Sequence, residues 1–318
     1  MEFISDLEKI KKEIAKVVVG QEKVVEGTLR ALLCDGHVLI EGVPGIAKTL
    51  LIRALAESSG CKFSRIQFTV DLLPADISGI TTYTPGKGFE TIKGPVFANF
   101  VIADEVNRAP PKTQSALLEA MQEKQVTIGR NTFQLKPPFF VMANHNPIES
   151  SGTYKLPEAQ IDRFLFKINM GYPTNEQEED IIDTNITTHK FEEYNIKPII
   201  SPAKIIKMQK ITREIEMSQP VKKYIVRIVE ATRNPKVHNI RLGKYVEWGG
   251  SPRASIALGI GAKADAIIRG GKNVTPQNVK NVAHDVLRHR ILLNYSGQAE
   301  EVSTDKIIDE ILSKVKVP

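Results

Sequence analysis

The run Gly42-Val43-Pro44-Gly45-Ile46-Ala47-Lys48-Thr49 sets two glycines, a lysine and a hydroxyl at the spacing of a phosphate cradle. It follows the apolar segment His37 to Glu41, which reads as a strand, and precedes the helical stretch Leu50 to Ser58. A glycine-rich turn between strand and helix aims backbone N–H groups and the helix N-terminus at a polyphosphate. Lys48 is then placed to neutralise the β- and γ-phosphates and the Thr49 hydroxyl to ligate magnesium, so Gly42 through Leu50 form the candidate nucleotide-contacting set. The usual pattern, G-x-x-x-x-G-K-[ST], has glycine at the position of Ala47. Alanine is expected there only with a negative φ and with the phosphate clear of its methyl group.

A second group raises the specificity of the first. Phe100-Val101-Ile102-Ala103-Asp104-Glu105 reads as a buried strand ending in two carboxylates, 56 residues beyond Lys48. Asp104 could hold magnesium, and Glu105 could polarise a water for attack on a γ-phosphorus. Taken alone, the same pair could be no more than the start of an ordinary loop.

Such a site needs a sheet to carry it. Apolar runs at His37 to Ile40, Phe63 to Phe68, Phe100 to Ala103, Phe139 to Ala143 and Phe164 to Ile168 alternate with helical segments. Apolar on both faces, they predict the strands of a buried parallel sheet. Two segments interrupt the rhythm as hairpins or loops: Asp71 to Pro95, with the turn Thr84-Pro85-Gly86-Lys87-Gly88, and Gln125 to Leu135 around Gly129-Arg130-Asn131. Ser5-x-x-Glu8 reads as a capping box for an opening amphipathic helix. After Gly171-Tyr172-Pro173-Thr174 the pattern turns helical to the end, broken near Pro198, Pro220, Pro235 and Gly249-Gly250, with Thr275-Pro276 as a cap and first-turn proline. The expected organisation is an α/β P-loop domain over residues 1–174 and a smaller helical lid over 175–318.

With both halves of the site in hand, the sequence resembles the AAA+ ATPases and, more narrowly, the MoxR family. The resemblance covers most of the chain. It is dense in Phe68-Thr69-Val70-Asp71-Leu72-Leu73-Pro74-Ala75-Asp76-Ile77, Gly94-Pro95-Val96-Phe97-Ala98-Asn99, Asp104-Glu105-Val106-Asn107-Arg108-Ala109-Pro110-Pro111-Lys112-Thr113-Gln114 and Leu156-Pro157-Glu158-Ala159-Gln160-Ile161-Asp162-Arg163-Phe164. It implies ATP and magnesium as cofactors, and alanine before the lysine looks normal for it. It further implies Asn146 as the sensor 1 asparagine, with Asn144 as fallback, and Arg163 as an arginine finger reaching a nucleotide on the adjacent subunit. Arg253, in Gly249-Gly250-Ser251-Pro252-Arg253, matches sensor 2, and Val18-Val19-Gly20-Gln21 looks like the segment lining the adenine pocket. A surface ion pair between Asp162 and Arg163, and a plain turn at Val18 to Gln21, are the alternatives. Where the family has threonine and glutamine this chain has Asn144 and His145. The resemblance also implies a homo-oligomeric, hexameric ring and chaperone-like maturation of a protein client beside a partner with a von Willebrand factor A domain.

Composition bounds the remaining choices. At 318 residues, 42% hydrophobic, the chain can bury substantial cores. Cys34 and Cys61 form no CxxC pair, which excludes a disulfide framework and fits a reduced, cytoplasmic setting. No stretch is apolar for long enough to span a bilayer. The net charge of +6 is concentrated late, with 18 basic against 6 acidic residues between positions 201 and 290. This leaves a nucleic-acid-binding remodeller, with ATP controlling assembly, as a second reading, and a magnesium-chelatase-like motor as a third. No aromatic-interleaved base-reading pattern accompanies the charge, and no chelatase active site is visible. His284 and His289, five apart, do not share a helix face. Trp248 beside two glycines is expected to pack at a bend, and the two cysteines to act as small core residues.

Overall fold

The computed structural model describes residues 2–43, 45–86, 88–145, 153–185 and 190–318. The chain opens with helices α1 (Glu2–Ala15) and α2 (Glu22–Leu33), then strand β1 (Val38–Gly42), helix α3 (Lys48–Ser58) and strand β2 (Phe63–Gln67). A short helix α4 (Pro74–Ser78) leads into the hairpin β3 (Gly79–Thr84) and β4 (Gly88–Lys93). Strand β5 (Phe100–Asp104) and helix α5 (Pro111–Glu123) precede a second hairpin, β6 (Gln125–Ile128) and β7 (Asn131–Gln134). Strand β8 (Phe140–His145), helix α6 (Glu158–Ile161) and strand β9 (Phe166–Met170) complete the α/β part. Helices α7 (Asn175–Asn185), α8 (Pro202–Glu214), α9 (Gln219–Arg233), α10 (Pro252–Ile268), α11 (Pro276–Leu287), α12 (Tyr295–Ala299) and α13 (Thr304–Lys314) follow, joined by the two-stranded ribbon β10 (Val246–Trp248) and β11 (Leu292–Leu293).

Five strands pair in parallel in the order β2-β5-β8-β1-β9. Each core strand is apolar on both faces because each face has its own cover. Val38 and Ile40 of β1, with Phe100, Ile102, Phe140 and Met142, join a cluster that includes α1 to α3 and the late helices. Leu39, Val101, Ala103, Val141 and Ala143, one residue out of step, join a second cluster with α5 and the hairpin segments. This two-residue alternation between separate apolar clusters explains the continuous hydrophobic runs in the sequence.

Several expectations need correction. Helix α1 begins at Glu2, so Ser5 sits in its second turn and the Ser5-x-x-Glu8 pair does not cap it. Trp248 is 66% exposed and does not pack at the bend. By contrast Thr275 caps α11, its hydroxyl accepting from the Asn278 N–H. Both interrupting segments are hairpins, and the first carries Tyr83 opposite Phe89, ring centroids 5.3 Å apart, on exposed positions. The cysteines are partly buried against the larger cluster, and burial pushes the Cys61 thiol up to about 12. No described helix is long and apolar enough to cross a membrane.

One buried ion pair ties the N-terminal helices to the late ones. Arg30 of α2 donates from Nε to Oδ1 of Asp265 in α10 at 2.8 Å, with side-chain exposures of 7% and 0%. The other oxygen, Oδ2, accepts from Asn278 and Asn281 of α11, both at 2.8 Å. Removing the guanidinium would leave a carboxylate with no solvent beside it. Arg269 Nε also stands 3.4 Å from Oδ2. Arg30→Met is expected to cost about 3–5 kcal/mol of unfolding free energy in urea titration; a loss below about 1 kcal/mol would show that Arg269 and the asparagines suffice.

Candidate functional site

The strand register brings the sequence-predicted groups to one edge of the sheet. Gln67 lies level with Asp104, Ala103 with Ala143, Ile40 with Asn144, Glu41 with His145, and Gly42 with Met170. The C-terminal ends of β2, β5, β8, β1 and β9 therefore line up, which is where open α/β sheets bind ligands.

The cradle emerges from β1. Gly45 has φ +82, and a Cβ there would meet nothing within 4 Å, so the loop backbone is open on that side. Ala47 has φ +60 and ψ +23, in the left-handed region. This overturns the expectation of a negative φ: the alanine accepts a conformation that costs an L-residue about 1–2 kcal/mol and thereby starts α3 at Lys48. Lys48 Nζ reaches back to the Gly42 carbonyl at 2.5 Å. Burial lowers the pKa of this ammonium, while the carboxylates of Asp104, Glu105 and Glu41 oppose the shift. Thr49 and Leu50 follow in the first turn of α3, and Ile46 is buried behind the loop. Pro44 lies outside the described residues.

The two carboxylates are held by side chains from neighbouring strands. Asn144, 4% exposed, donates from Nδ2 to Asp104 Oδ1 at 2.6 Å and accepts the Glu105 N–H at 2.8 Å. Both polar ends of Asn144 are thus engaged in fixing the strand end. Arg65 of β2 donates to Asp104 Oδ2, from its Nε at 3.1 Å and a terminal nitrogen at 2.5 Å. Glu105 has φ +57, and its Oε2 accepts from Gln67 Nε2 at 2.8 Å with Arg108 Nε at 3.2 Å. Arg65 and Gln67 were missed from sequence; the only signal was that polar residues interrupt the run Phe63 to Phe68. Asn146 lies outside the described residues.

His145 approaches Glu41 Oε1 at 3.3 Å, and Lys167 binds the other oxygen at 2.6 Å. Burial is the main cause holding the imidazole pKa below its usual value, and Glu41 opposes it. On the other flank, Gln21 Nε2 donates to the Gly171 carbonyl at 3.1 Å. Gly20 has φ +73, and a Cβ there would lie 2.4 Å from Gln177 Oε1. Gln21 therefore sits just past the end of β9, and Gly20 lies against Gln177 of α7.

The two predicted arginines differ in surroundings. Asp162 does not pair with Arg163: its Oδ1 accepts from Arg290 Nε at 2.7 Å, and its Oδ2 faces Ser251 Oγ at 3.3 Å and an Arg253 terminal nitrogen at 3.6 Å. The Arg163 guanidinium makes no ion pair among the described residues. Arg253 is half exposed at the start of α10. His284 faces Asp309, whereas His289 is buried against the Phe164 carbonyl at 3.2 Å, so the two share no site.

Thr49 and Asp104 offer the hard oxygen donors that magnesium prefers when phosphates and water supply the rest, and the open face at Gly45 leaves room for a polyphosphate, so the residues fit both groups.

Comparison with known proteins agrees with this geometry. Residues 37–166 match the family model described as "ATPase family associated with various cellular activities (AAA)", and residues 239–311 match the AAA lid domain. The chain is 46% identical over 317 residues to Chaperone MoxR1 of Mycobacterium tuberculosis, covering 99% of this chain and 83% of that one. It is 44% identical over 313 residues to the uncharacterised protein YeaC of Bacillus subtilis, covering 98% and 95%. A crystal structure of a proposed ATPase from Cytophaga hutchinsonii superposes with a TM-score of 0.93 at 44% identity, covering 100% of this chain and 96% of that one. With a nucleotide cradle, an Asp-Glu strand end and a helical lid on one chain, and relatives along its whole length, the protein belongs to the MoxR family of AAA ATPases and hydrolyses ATP.

Proposed function

We propose that the chain works as a magnesium-dependent ring of six copies, in which each ATP is cleaved between neighbouring subunits. The observation that carries this reading is the contrast at the sheet edge. Lys48, next to Thr49 in sequence, lies within electrostatic reach of Asp104 and Glu105 of its own chain, while the Arg163 guanidinium has no ion pair among the described residues of that chain. An arginine serving as a finger in trans has to be available to another chain.

Thr49 and Asp104 would hold the magnesium ion, which offsets phosphate charge when bound. The N–H groups of the Gly42 to Leu50 segment and Lys48 bind and orient the phosphates. Glu105 accepts the proton of the attacking water. In the present geometry its oxygen is held by Gln67 and Arg108, so those contacts must loosen before Glu105 faces a water. Asn146 helps position that water, Arg163 from the next chain stabilises the departing charge, and Arg253 reports on the bound phosphate to the lid. Val19 and Gly20 flank the base. We place the boundary between the moving parts near residue 174.

The chaperone-like role is supported by the 46% identity to Chaperone MoxR1. The exposed pair Tyr83 and Phe89 gives the first hairpin a surface suited to a protein client. A von Willebrand factor A partner and a cytoplasmic setting belong to the same reading.

Turnover per chain should depend on assembly. Diluted until sedimentation shows monomers, the protein is expected to lose at least about tenfold in turnover per chain, and to regain it on concentration in the presence of magnesium. Equal turnover per chain in monomer and ring would overturn the shared site.

A further inference from the structure

Arg163 is flanked on both sides by backbone that a lid residue holds. Arg290, just beyond α11, has a side chain only 3% exposed. Its five guanidinium N–H groups have five acceptors: Asp162 Oδ1 at 2.7 Å, the Asp162 carbonyl at 3.3 Å, the Phe164 carbonyl at 2.8 Å, the Leu165 carbonyl at 3.1 Å and the Val286 carbonyl at 2.5 Å. Four of these lie in the segment 162–165, immediately before and after Arg163. His289 adds a contact to the same Phe164 carbonyl. The guanidinium is fully satisfied by a planar fork in a buried setting, an arrangement that fixes geometry more tightly than a lysine could.

The other oxygen of Asp162 faces the opposite corner of the lid, at Ser251 and Arg253. Those two residues begin α10, and Arg290 follows α11. The two helices are joined through Asp265, which accepts from Asn278 and Asn281. The lid thus grips one carboxylate from both helices, and that carboxylate is the residue before the arginine finger.

We infer that Asp162 and Arg290 are positioning residues that carry the state of a subunit's own lid to its Arg163, and so to the active site of the adjacent copy. This rests on the reading above, in which Arg163 acts in trans. Arg253 bound to phosphate in its own site would release or tighten its hold on Asp162 Oδ2, shifting the lid that pins segment 162–165. Arg163 then advances or withdraws from the neighbour. Occupancy of one site thereby controls turnover in the next, with Arg290 as the fixed link and the longer Arg253 contact, at 3.6 Å, as the exchangeable one.

The test uses mixed assemblies of the full chain. Asp162→Asn keeps the shape of the side chain and removes the charge that both lid arginines face. Alone, it is expected to retain ATP binding and to lose about ten- to a hundredfold in kcat, the cost of a misplaced catalytic group. Glu105→Gln chains bind ATP without cleaving it, so their lids sit on an occupied site, and they keep Asp162, Arg290 and Arg163. Mixed with them, Asp162→Asn chains should regain most of their turnover, because the intact neighbour supplies a correctly placed Arg163. Persisting low turnover would put the defect in the variant's own site and overturn the inference. Arg163→Ala mixed with Glu105→Gln separates the two failures: rescue there without rescue of Asp162→Asn refutes only the positioning role, and no rescue in either mixture refutes the trans reading together with it. Asp162→Glu, which keeps the charge on a longer arm, covers the case that the asparagine variant is unstable. Its turnover should lie between parent and Asp162→Asn and rise in the same mixture, and a value indistinguishable from the parent in kcat and in its response to mixing would count against the link.

Discussion

Replacing Glu105 with glutamine is expected to leave ATP binding within about twofold of the parent and to lower kcat by about 10²- to 10⁴-fold, the usual contribution of a positioned general base. The two side chains have nearly the same shape, and Glu105 hydrogen-bonds its main-chain N–H to Asn144, an interaction the substitution keeps. What is lost is the oxygen that takes a proton from water. The residues proposed to contact phosphate are elsewhere, on the β1 to α3 turn, so affinity has no reason to fall. Fluorescent-nucleotide titration and steady-state turnover on the same sample decide it. Turnover within twofold of the parent would remove Glu105 from the mechanism.

Truncating Arg163 to alanine should have a comparable effect by a different route. An arginine finger contributes about 10³- to 10⁵-fold to kcat where it has been removed, so turnover should fall toward the lower of these limits or beyond. The melting temperature should stay close to the parent's, because this guanidinium makes no ion pair with described residues whose loss would strand a partner. Stability retained with turnover lost distinguishes it from Arg290, whose removal would orphan several buried carbonyls. Parent-like turnover for Arg163→Ala would instead return the residue to an ordinary surface role.

How much of this was legible beforehand depends on how local each feature is. The cradle, the Asp104-Glu105 strand end, both hairpins and the cap at Thr275 are written in contiguous residues, since a turn or cap is decided by neighbours a few positions apart. The grip of Gln67 and Arg65 on the two carboxylates was not legible, because it depends on β2 pairing with β5 in a register that makes Gln67 level with Asp104. Asn144 could be placed near the site, but its role as a two-ended brace needs the β5 to β8 pairing. Asp162 suggested a pair with its sequence neighbour; in the fold its charge is claimed by Arg290, 128 positions away. The left-handed Ala47 and Glu105 show the other limit. Local propensity argues against φ near +60 for both types, and the surrounding sheet edge overrides it at the two places where the chain must turn sharply next to the chemistry.

The solvent-facing Trp248 has a practical consequence. It is the sole tryptophan in the chain and lies on the short β10 strand five positions before Arg253. Excitation at the red edge of protein absorbance therefore selects one indole at the root of α10, and its emission colour and quenching by iodide report how wet that spot is. If the lid shifts as proposed, this indole is placed to report it during a single round of nucleotide cleavage, without attaching any dye.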